Sequence, residues 1–92
     1  MARLIEQNLS KALRESEFRF IRRGTIHLDE VYYEVKKKFA DLCDDQYTCL
    51  KAGHSKSKQE EWKHTTRNVM NQIARKSDNL VYTGRRKYWE FK

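Results

Sequence analysis

The sequence predicts a small α+β domain in which three helices are followed by a C-terminal β-hairpin. Apolar residues recur at helical spacing in three segments, and apolar and polar residues alternate over residues 80–91. The chain has 92 residues, no proline and only three glycines, which indicates one folded domain rather than a set of linked segments. Eleven aromatic residues supply large side chains for its core.

The first two helices are predicted from their apolar stripes. The first extends from about Ala2 to Ser16, where Leu4 and Ile5 are followed at helical spacing by Leu9 and then by Ala12 and Leu13. Residues Thr25–His27, which come next, are expected to supply no more than one or two strand residues. In the second helix the apolar residues share one face, at steps of three or four apart from one adjacent pair: Leu28, Val31, Tyr32, Val35, Phe39 and Leu42.

The third helix is predicted to begin after a long loop. Helical periodicity lapses from Cys43 to Lys56, where acidic residues, a glycine and a Ser/Lys run are typical of a loop. Ser57 and Glu60 then match the S-x-x-E capping box, in which the serine caps the helix and the glutamate reaches back to it. The sequence therefore predicts a helix from Ser57 to about Lys76.

This third helix has two contrasting faces. At about 100° per residue, its apolar side is predicted to be buried and carries Trp62, Thr66, Val69 and Ile73, flanked by Met70. The opposite side carries His64, Arg67, Asn68, Asn71 and Arg75. Arginine can contact guanine and asparagine can contact adenine through two hydrogen bonds each, so this face suits the reading of base edges. Lys58 and Lys63, near the helix start, suit phosphate contacts.

The excess positive charge lies in the second half of the chain. Residues 1–50 contain nine lysines and arginines and nine acidic residues, whereas residues 51–92 contain eleven and four, which accounts for the formal charge of +7. Arg85, Arg86 and Lys87 lie at or beside the hairpin tip. A basic helix beside a basic hairpin suits DNA, because the helix can enter a groove while the hairpin contacts phosphates. The alternative is a solvated surface that favours solubility.

The order of elements resembles that of the winged helix-turn-helix domain, most clearly from Leu28 to Phe91. The run EWKHTTRNVMNQIARKSDNLVYTGRRKYWEF is similar to winged domains found with restriction endonucleases of bacteria and archaea. The matching positions are Trp62, Arg67, Met70, Ile73, Gly84, Arg85 and Trp89. The segment between the second and third helices departs from the family, whose turn is often short.

The resemblance implies one winged-helix domain over residues 1–92. Residues 1–24 would form the N-terminal helix and connector, residues 25–78 the helix-turn-helix core with its long loop, and residues 79–92 the wing. It implies binding of double-stranded DNA as the recognition module of a restriction or regulatory protein. The candidate nucleic-acid-binding residues are Lys58, Lys63, His64, Arg67, Asn68, Asn71, Arg75, Arg85, Arg86 and Lys87.

Two other classes of partner stay open from the sequence. An acidic protein could dock on the basic face, and double-stranded RNA could be recognised by its shape. A homodimer or attachment to a larger protein is also compatible with the sequence. The chain contains no phosphate-binding glycine loop, no metal-carboxylate cluster and no nuclease-like acidic pair. We therefore predict a binding module without a cofactor, and not an enzyme.

Three aromatic residues, Trp62, Tyr88 and Trp89, could stack on the bases of a single strand. Trp62, however, lies on the apolar side of the third helix, and Trp89 alternates with its neighbours in the predicted strand. Stacking sites usually lie on an open sheet, of which a two-stranded hairpin offers little. We therefore predict that these residues belong to the core.

A zinc site is the remaining chemical alternative, with Cys43, Cys49, His54 and His64 as its candidate ligands. The two cysteines are separated by five residues, whereas paired zinc ligands usually have two to four between them. We therefore expect no metal, and we expect both cysteines to be small, partly buried thiols.

The sequence also indicates the compartment. No apolar run approaches the roughly 20 residues needed to cross a bilayer, and the N-terminal segment lacks the apolar stretch of a signal peptide. Two cysteines are too few for a secreted disulfide framework. We therefore expect a cytoplasmic protein without membrane contact.

Overall fold

The structure is a computed structural model that describes residues 4–45 and 60–92. Its elements are α1 (Leu4–Ser16), β1 (Gly24–His27), α2 (Leu28–Lys38), a 3-10 turn (Ala40–Leu42), α3 (Glu61–Lys76), β2 (Leu80–Tyr82) and β3 (Tyr88–Phe91). The strands form one antiparallel sheet in the order β1-β3-β2. The predicted α+β class with three helices is confirmed for the described residues.

The sheet has one more strand than the predicted hairpin. All four residues of β1 pair with β3, from Gly24 opposite Phe91 to His27 opposite Tyr88. The expectation that residues 25–27 supply only one or two strand residues was therefore wrong. Local periodicity cannot predict that a strand pairs with a segment more than 60 residues away, because the hydrogen bonds of a sheet are non-local.

Helix α1 packs chiefly against α3. Its residues Leu9 and Leu13 are fully buried in the core. After the helix ends, Glu17 and Phe18 adopt positive φ angles of 52° and 57° and reverse the chain. This turn places the Phe18 ring in the core, in an edge-on contact with Phe91 of β3. The first helix is thereby joined to the centre of the sheet.

Helix α2 begins directly after β1, and His27 is its N-cap. The His27 Nδ1 atom accepts a hydrogen bond of 3.0 Å from the amide of Asp29, which satisfies one of the free donors of the first turn. The helix ends at Lys38, earlier than the predicted stripe. The half-buried Phe39 links it to the following 3-10 turn, and the half-buried Leu42 is the last residue of that turn. A tighter turn keeps both side chains against the core after the helical hydrogen bonds have ended.

Helix α3 begins at Glu61, four residues later than predicted. Glu60 has extended backbone angles and occupies the N-cap position without a capping hydrogen bond, and its carboxylate lies 3.3 Å from the Lys63 ammonium. Ser57, the predicted cap, lies outside the described residues. The capping-box prediction was therefore wrong, since Glu60 precedes the helix and interacts forward along it. The start of α3 is instead attached to the fold through Trp62, whose indole donates a 2.8 Å hydrogen bond to Asp45.

The core contains most of the residues predicted from the apolar stripes. On α3, Trp62, Thr66, Val69 and Met70 are buried, and Ile73 packs against them half-buried. Trp89 is also buried, which confirms the prediction that both tryptophans belong to the core. No helix in the described parts of the chain combines the length and apolar character needed to cross a membrane.

Candidate nucleic-acid interface

The outward face of α3 carries four of the predicted residues. Arg67, Asn68, Asn71 and Arg75 are all exposed, on the side of the helix opposite its buried stripe. Arg67, Asn71 and Arg75 follow one another at intervals of four, so they form a row along the helix. Their guanidinium and amide groups face solvent and can contact a partner.

His64 does not belong to this face. Only 9% of this residue is exposed, so His64 is not part of the exposed row on α3, and its contact with nucleic acid stays a prediction. A helical projection assumes one buried side, but Trp62 and His64 are both buried although they lie on nearly opposite sides of the helix. The first turn of α3 is therefore covered on two sides, which only the tertiary structure determines.

Lys63 is half-buried and interacts within the protein. Its ammonium lies 3.3 Å from the Glu60 carboxylate and 5.6 Å from the ring centres of both Tyr32 and Trp62. These contacts place Lys63 beside the buried stripe and not on the row of Arg67 and its neighbours. Lys58, the other predicted phosphate contact of this helix, lies outside the described residues.

The segment between β2 and β3 presents three exposed cations, Arg85, Arg86 and Lys87. Thr83 organises the turn, because its hydroxyl accepts a hydrogen bond from the Arg85 amide (3.2 Å) and donates one to the Tyr88 carbonyl (3.0 Å). Gly84 has φ of +87°, a conformation that glycine adopts without strain. Lys87 has φ of +69°, which is unusual for a residue with a side chain.

Two contacts hold this turn against the start of α2. The amide of Leu28 donates a 2.7 Å hydrogen bond to the carbonyl of Lys87. The Tyr88 ring lies between two side chains, with the Arg85 guanidinium 4.4 Å from its centre and the His27 ring in edge contact at 5.0 Å. Arg85 is therefore packed on the hairpin, whereas Arg86 and Lys87 lie on the side nearer α3.

A cleft of about 350 Å³ separates the hairpin from α3. It is lined by Leu28, Arg67, Asn71, Tyr82, Arg86, Lys87 and Trp89. Helix α3 supplies one wall of the cleft and the turn supplies the other. Four of the predicted nucleic-acid-binding residues therefore line the same cleft, Arg67 and Asn71 from α3 and Arg86 and Lys87 from the turn. None of the described residues that line the cleft is acidic, and three of them carry a positive charge. A polyanion bound in the cleft could therefore contact three cations and the side-chain amide of Asn71.

Tyr82 is the residue of this cleft that the sequence analysis missed. Its side chain is 47% exposed at the end of β2, and its ring contacts Trp89 at 5.1 Å. Strand periodicity places Tyr82 on the same side as the buried Leu80, which suggests a core residue. Its position next to the basic turn was the one signal in the sequence that could have indicated exposure.

A second open groove, between α2 and α3, has a different character. It is lined by Asp29, Tyr32, Tyr33, Lys36, Asp45, Glu60, Trp62 and Lys63. Lys36 pairs with Asp45 and Lys63 with Glu60, so the cations of this groove are already neutralised by carboxylates. The cleft at the hairpin is the more suitable surface for a polyanion.

The described residues contain no group of three or more potential metal ligands. Cys43 is buried, and this burial raises the pKa of its thiol to about 11. Cys49 and His54, the other candidate ligands with His64, lie outside the described residues.

The geometry thus assembles one basic cleft from α3 and the hairpin turn, with Arg67 and Asn71 facing Arg86 and Lys87. Arg75 and Asn68 extend the same surface along the helix. Comparisons with models of protein families, with curated proteins and with solved structures found no match to this chain.

Proposed function

We propose that this chain is a winged helix-turn-helix module that binds double-stranded DNA, with α3 in the major groove and the β2–β3 hairpin as the wing. The observation that carries the proposal is the shared cleft, in which Arg67 and Asn71 of α3 face Arg86 and Lys87 of the turn. In this role the chain is a recognition module of a restriction or regulatory protein and performs no catalysis itself.

The order of the elements supports the winged layout. A helix, a strand, two helices and two strands follow in sequence, and β3 lies between β1 and β2 in the sheet. This topology places the β2–β3 turn beside α3, so one duplex can contact both elements. The hydrogen bond from Leu28 to Lys87 holds the turn in that position.

The dimensions of α3 also suit a DNA groove. An α-helix with its side chains is about 10–12 Å across, close to the roughly 12 Å width of the major groove. Arg67 and Asn71 are one helical turn apart on the exposed face, a rise of about 6 Å, which corresponds to roughly two base-pair steps. Each can therefore contact a different base pair of the same site.

Charge supplies the affinity in this proposal. Arg86 and Lys87 can contact phosphates beside the groove that α3 enters, and Arg75 can contact the backbone further along the helix. Binding of this kind releases counterions, so the affinity depends steeply on salt. With about four to six phosphate contacts, affinity should decrease by two or more decades between about 50 mM and about 200 mM salt.

The test is a titration of a fluorescent DNA duplex with the full chain across that salt range. We expect weak binding with a steep negative salt slope, and we expect Arg86→Ala to reduce the slope by about one. Lys11→Ala is the matched control, because it removes one exposed positive charge from α1, outside the cleft. Equal slopes for the two variants, or no binding at about 50 mM salt, would contradict the proposal and favour an acidic protein as the partner.

A further inference from the structure

Tyr82 presents an aromatic ring inside a basic cleft. Among the described residues, the large hydrophobic side chains with high exposure are Leu4, Tyr33 and Tyr82, and only Tyr82 lines the cleft between α3 and the hairpin. Its ring is inclined at 61° to the Trp89 ring, with the centres 5.1 Å apart. Trp89 is buried, so Tyr82 is supported from one side and open to solvent on the other.

The groups around this ring match the parts of a nucleotide. Arg67 and Asn71 can donate hydrogen bonds to base edges, and the amide of Asn71 can also accept one. Arg86 and Lys87, on the opposite wall, can neutralise a phosphate. The cleft volume of about 350 Å³ is within the range of small-ligand sites, near its lower end.

A base inside a duplex cannot use this ring. Its two faces are covered by the neighbouring base pairs, so an aromatic side chain can stack only on a base that has left the stack. We propose that the cleft receives a single unpaired nucleotide adjacent to duplex DNA, with its base on Tyr82, its edge toward Asn71 and its phosphate toward Arg86 and Lys87. This inference rests on the proposed function and specifies the DNA that the same site prefers.

The experiment compares two duplexes of the same sequence, one fully paired and one with a single extrahelical 2-aminopurine. The full chain should bind the bulged duplex more tightly, by between about 5-fold and about 140-fold, which is the factor expected when one base stacks on an aromatic side chain. The fluorescence of 2-aminopurine should decrease on binding, because stacking on the Tyr82 ring quenches it.

Variants of Tyr82 separate stacking from structure. Tyr82→Phe keeps the ring and should keep both the preference and the quenching. Tyr82→Leu keeps apolar packing on Trp89 but has no flat ring, so it should bind the two duplexes equally without quenching. Tyr33→Ala is the control, because it removes a tyrosine that is more accessible than Tyr82 (64% against 47% exposed) from α2, outside the cleft.

Each outcome decides the inference separately from the proposed function. Equal affinity of the unchanged chain for both duplexes, or a preference that survives in Tyr82→Leu, would overturn the unpaired-nucleotide site while leaving duplex binding intact. If Tyr82→Leu weakens binding to both duplexes alike, Tyr82 contacts the backbone and the inference is again overturned. Absence of binding to either duplex would overturn the proposed function and the inference together.

Discussion

The amide of Leu28 and the carbonyl of Lys87 are joined by a 2.7 Å hydrogen bond that connects the first residue of α2 to the last residue of the hairpin turn. Lys87 has φ of +69° at this point, in the left-handed region. The Tyr88 amide also donates to the Arg85 carbonyl, so Lys87 is the third residue of a tight turn, where glycine or asparagine is favoured when φ is positive. A lysine is thus held in a strained conformation beside the cleft that it lines.

We expect Lys87→Asn to stabilise the protein and to weaken DNA binding. Asparagine tolerates positive φ better than lysine, so the free energy of unfolding should increase by about 0.5–1 kcal/mol, part of the strain of such a residue. The loss of one cation should reduce the salt slope by about one. Urea unfolding and duplex titration measure the two effects.

The control for this variant is Lys92→Asn. Lys92 is exposed and its φ is not positive, so the same substitution should change neither stability nor binding appreciably. If Lys87→Asn were destabilised, the lysine side chain would stabilise the turn by more free energy than the positive φ of this residue costs.

Substitutions on α3 should affect the discrimination between DNA sequences. Arg67→Ala and Asn71→Ala each remove a group that can make two hydrogen bonds to a base edge, so each should reduce discrimination by about 1–3 kcal/mol where the residue reads a base. Competition between duplexes of different sequence measures this effect. Arg67→Lys keeps the charge without the bidentate geometry, so it should lose discrimination while keeping the salt slope.

Substitutions in the turn should instead weaken binding to all sequences alike. Arg86→Ala and Arg85→Ala remove cations that would contact phosphate in the proposed complex, and phosphate carries no sequence information. We expect the larger effect for Arg86, because it lines the cleft whereas Arg85 is packed over the Tyr88 ring. If turn variants altered sequence preference and helix variants did not, the hairpin would be the reading element and the assignment of α3 would be wrong.

Asp45 should contribute to stability through its hydrogen bond with Trp62. The carboxylate accepts from the indole at 2.8 Å and pairs with Lys36. Asp45→Ala leaves the indole donor without this acceptor, so the free energy of unfolding should decrease by about 1 kcal/mol. Asp45→Asn retains an acceptor and loses an exposed ion pair of little energy, so it should cost less. Urea unfolding compares the two variants.

The same residue should produce a pH dependence. The hydrogen bond from Lys36, followed by the one from Trp62, lowers the pKa of Asp45 below its ordinary value. Its contribution to stability is therefore complete above the pKa of an unfolded aspartate and is lost as the pH decreases through the lower folded pKa. Asp45→Asn should remove this part of the acid sensitivity. An unchanged acid profile would indicate that the bond does not persist in solution.

Cys43 should be unreactive in the folded protein. Its burial raises the pKa of the thiol to about 11, so only a small fraction is thiolate at pH near 8, and reagents have poor access to it. In a Cys49→Ser background, alkylation should be slow and should accelerate in urea. Rapid alkylation without denaturant would show that the segment around Cys43 opens readily.

Local periodicity determined which side chains of the helices face inward. The apolar stripes of α1, α2 and α3 correctly identified Leu9, Leu13, Val31, Val35 and Val69 as buried. Leu4, the first residue of the predicted stripe of α1, is instead 71% exposed. The exposed row of Arg67, Asn71 and Arg75 follows from the same period. These features depend on residues within a few positions of one another, so the sequence alone is sufficient to predict them.

The tertiary structure decided everything that depends on distant segments. The pairing of β1 with β3 and the burial of His64 on the second covered side of α3 have no local pattern. The cleft itself exists because the turn residues 83–87 are attached to α2 and thereby stand beside α3. Composition and the helical period are sufficient to predict that the second half is basic and which helical faces are polar. The exposure of Tyr82 beside the cations of the cleft depends on packing between distant segments. The period of a strand cannot predict it, because that period does not indicate where along the strand the core ends.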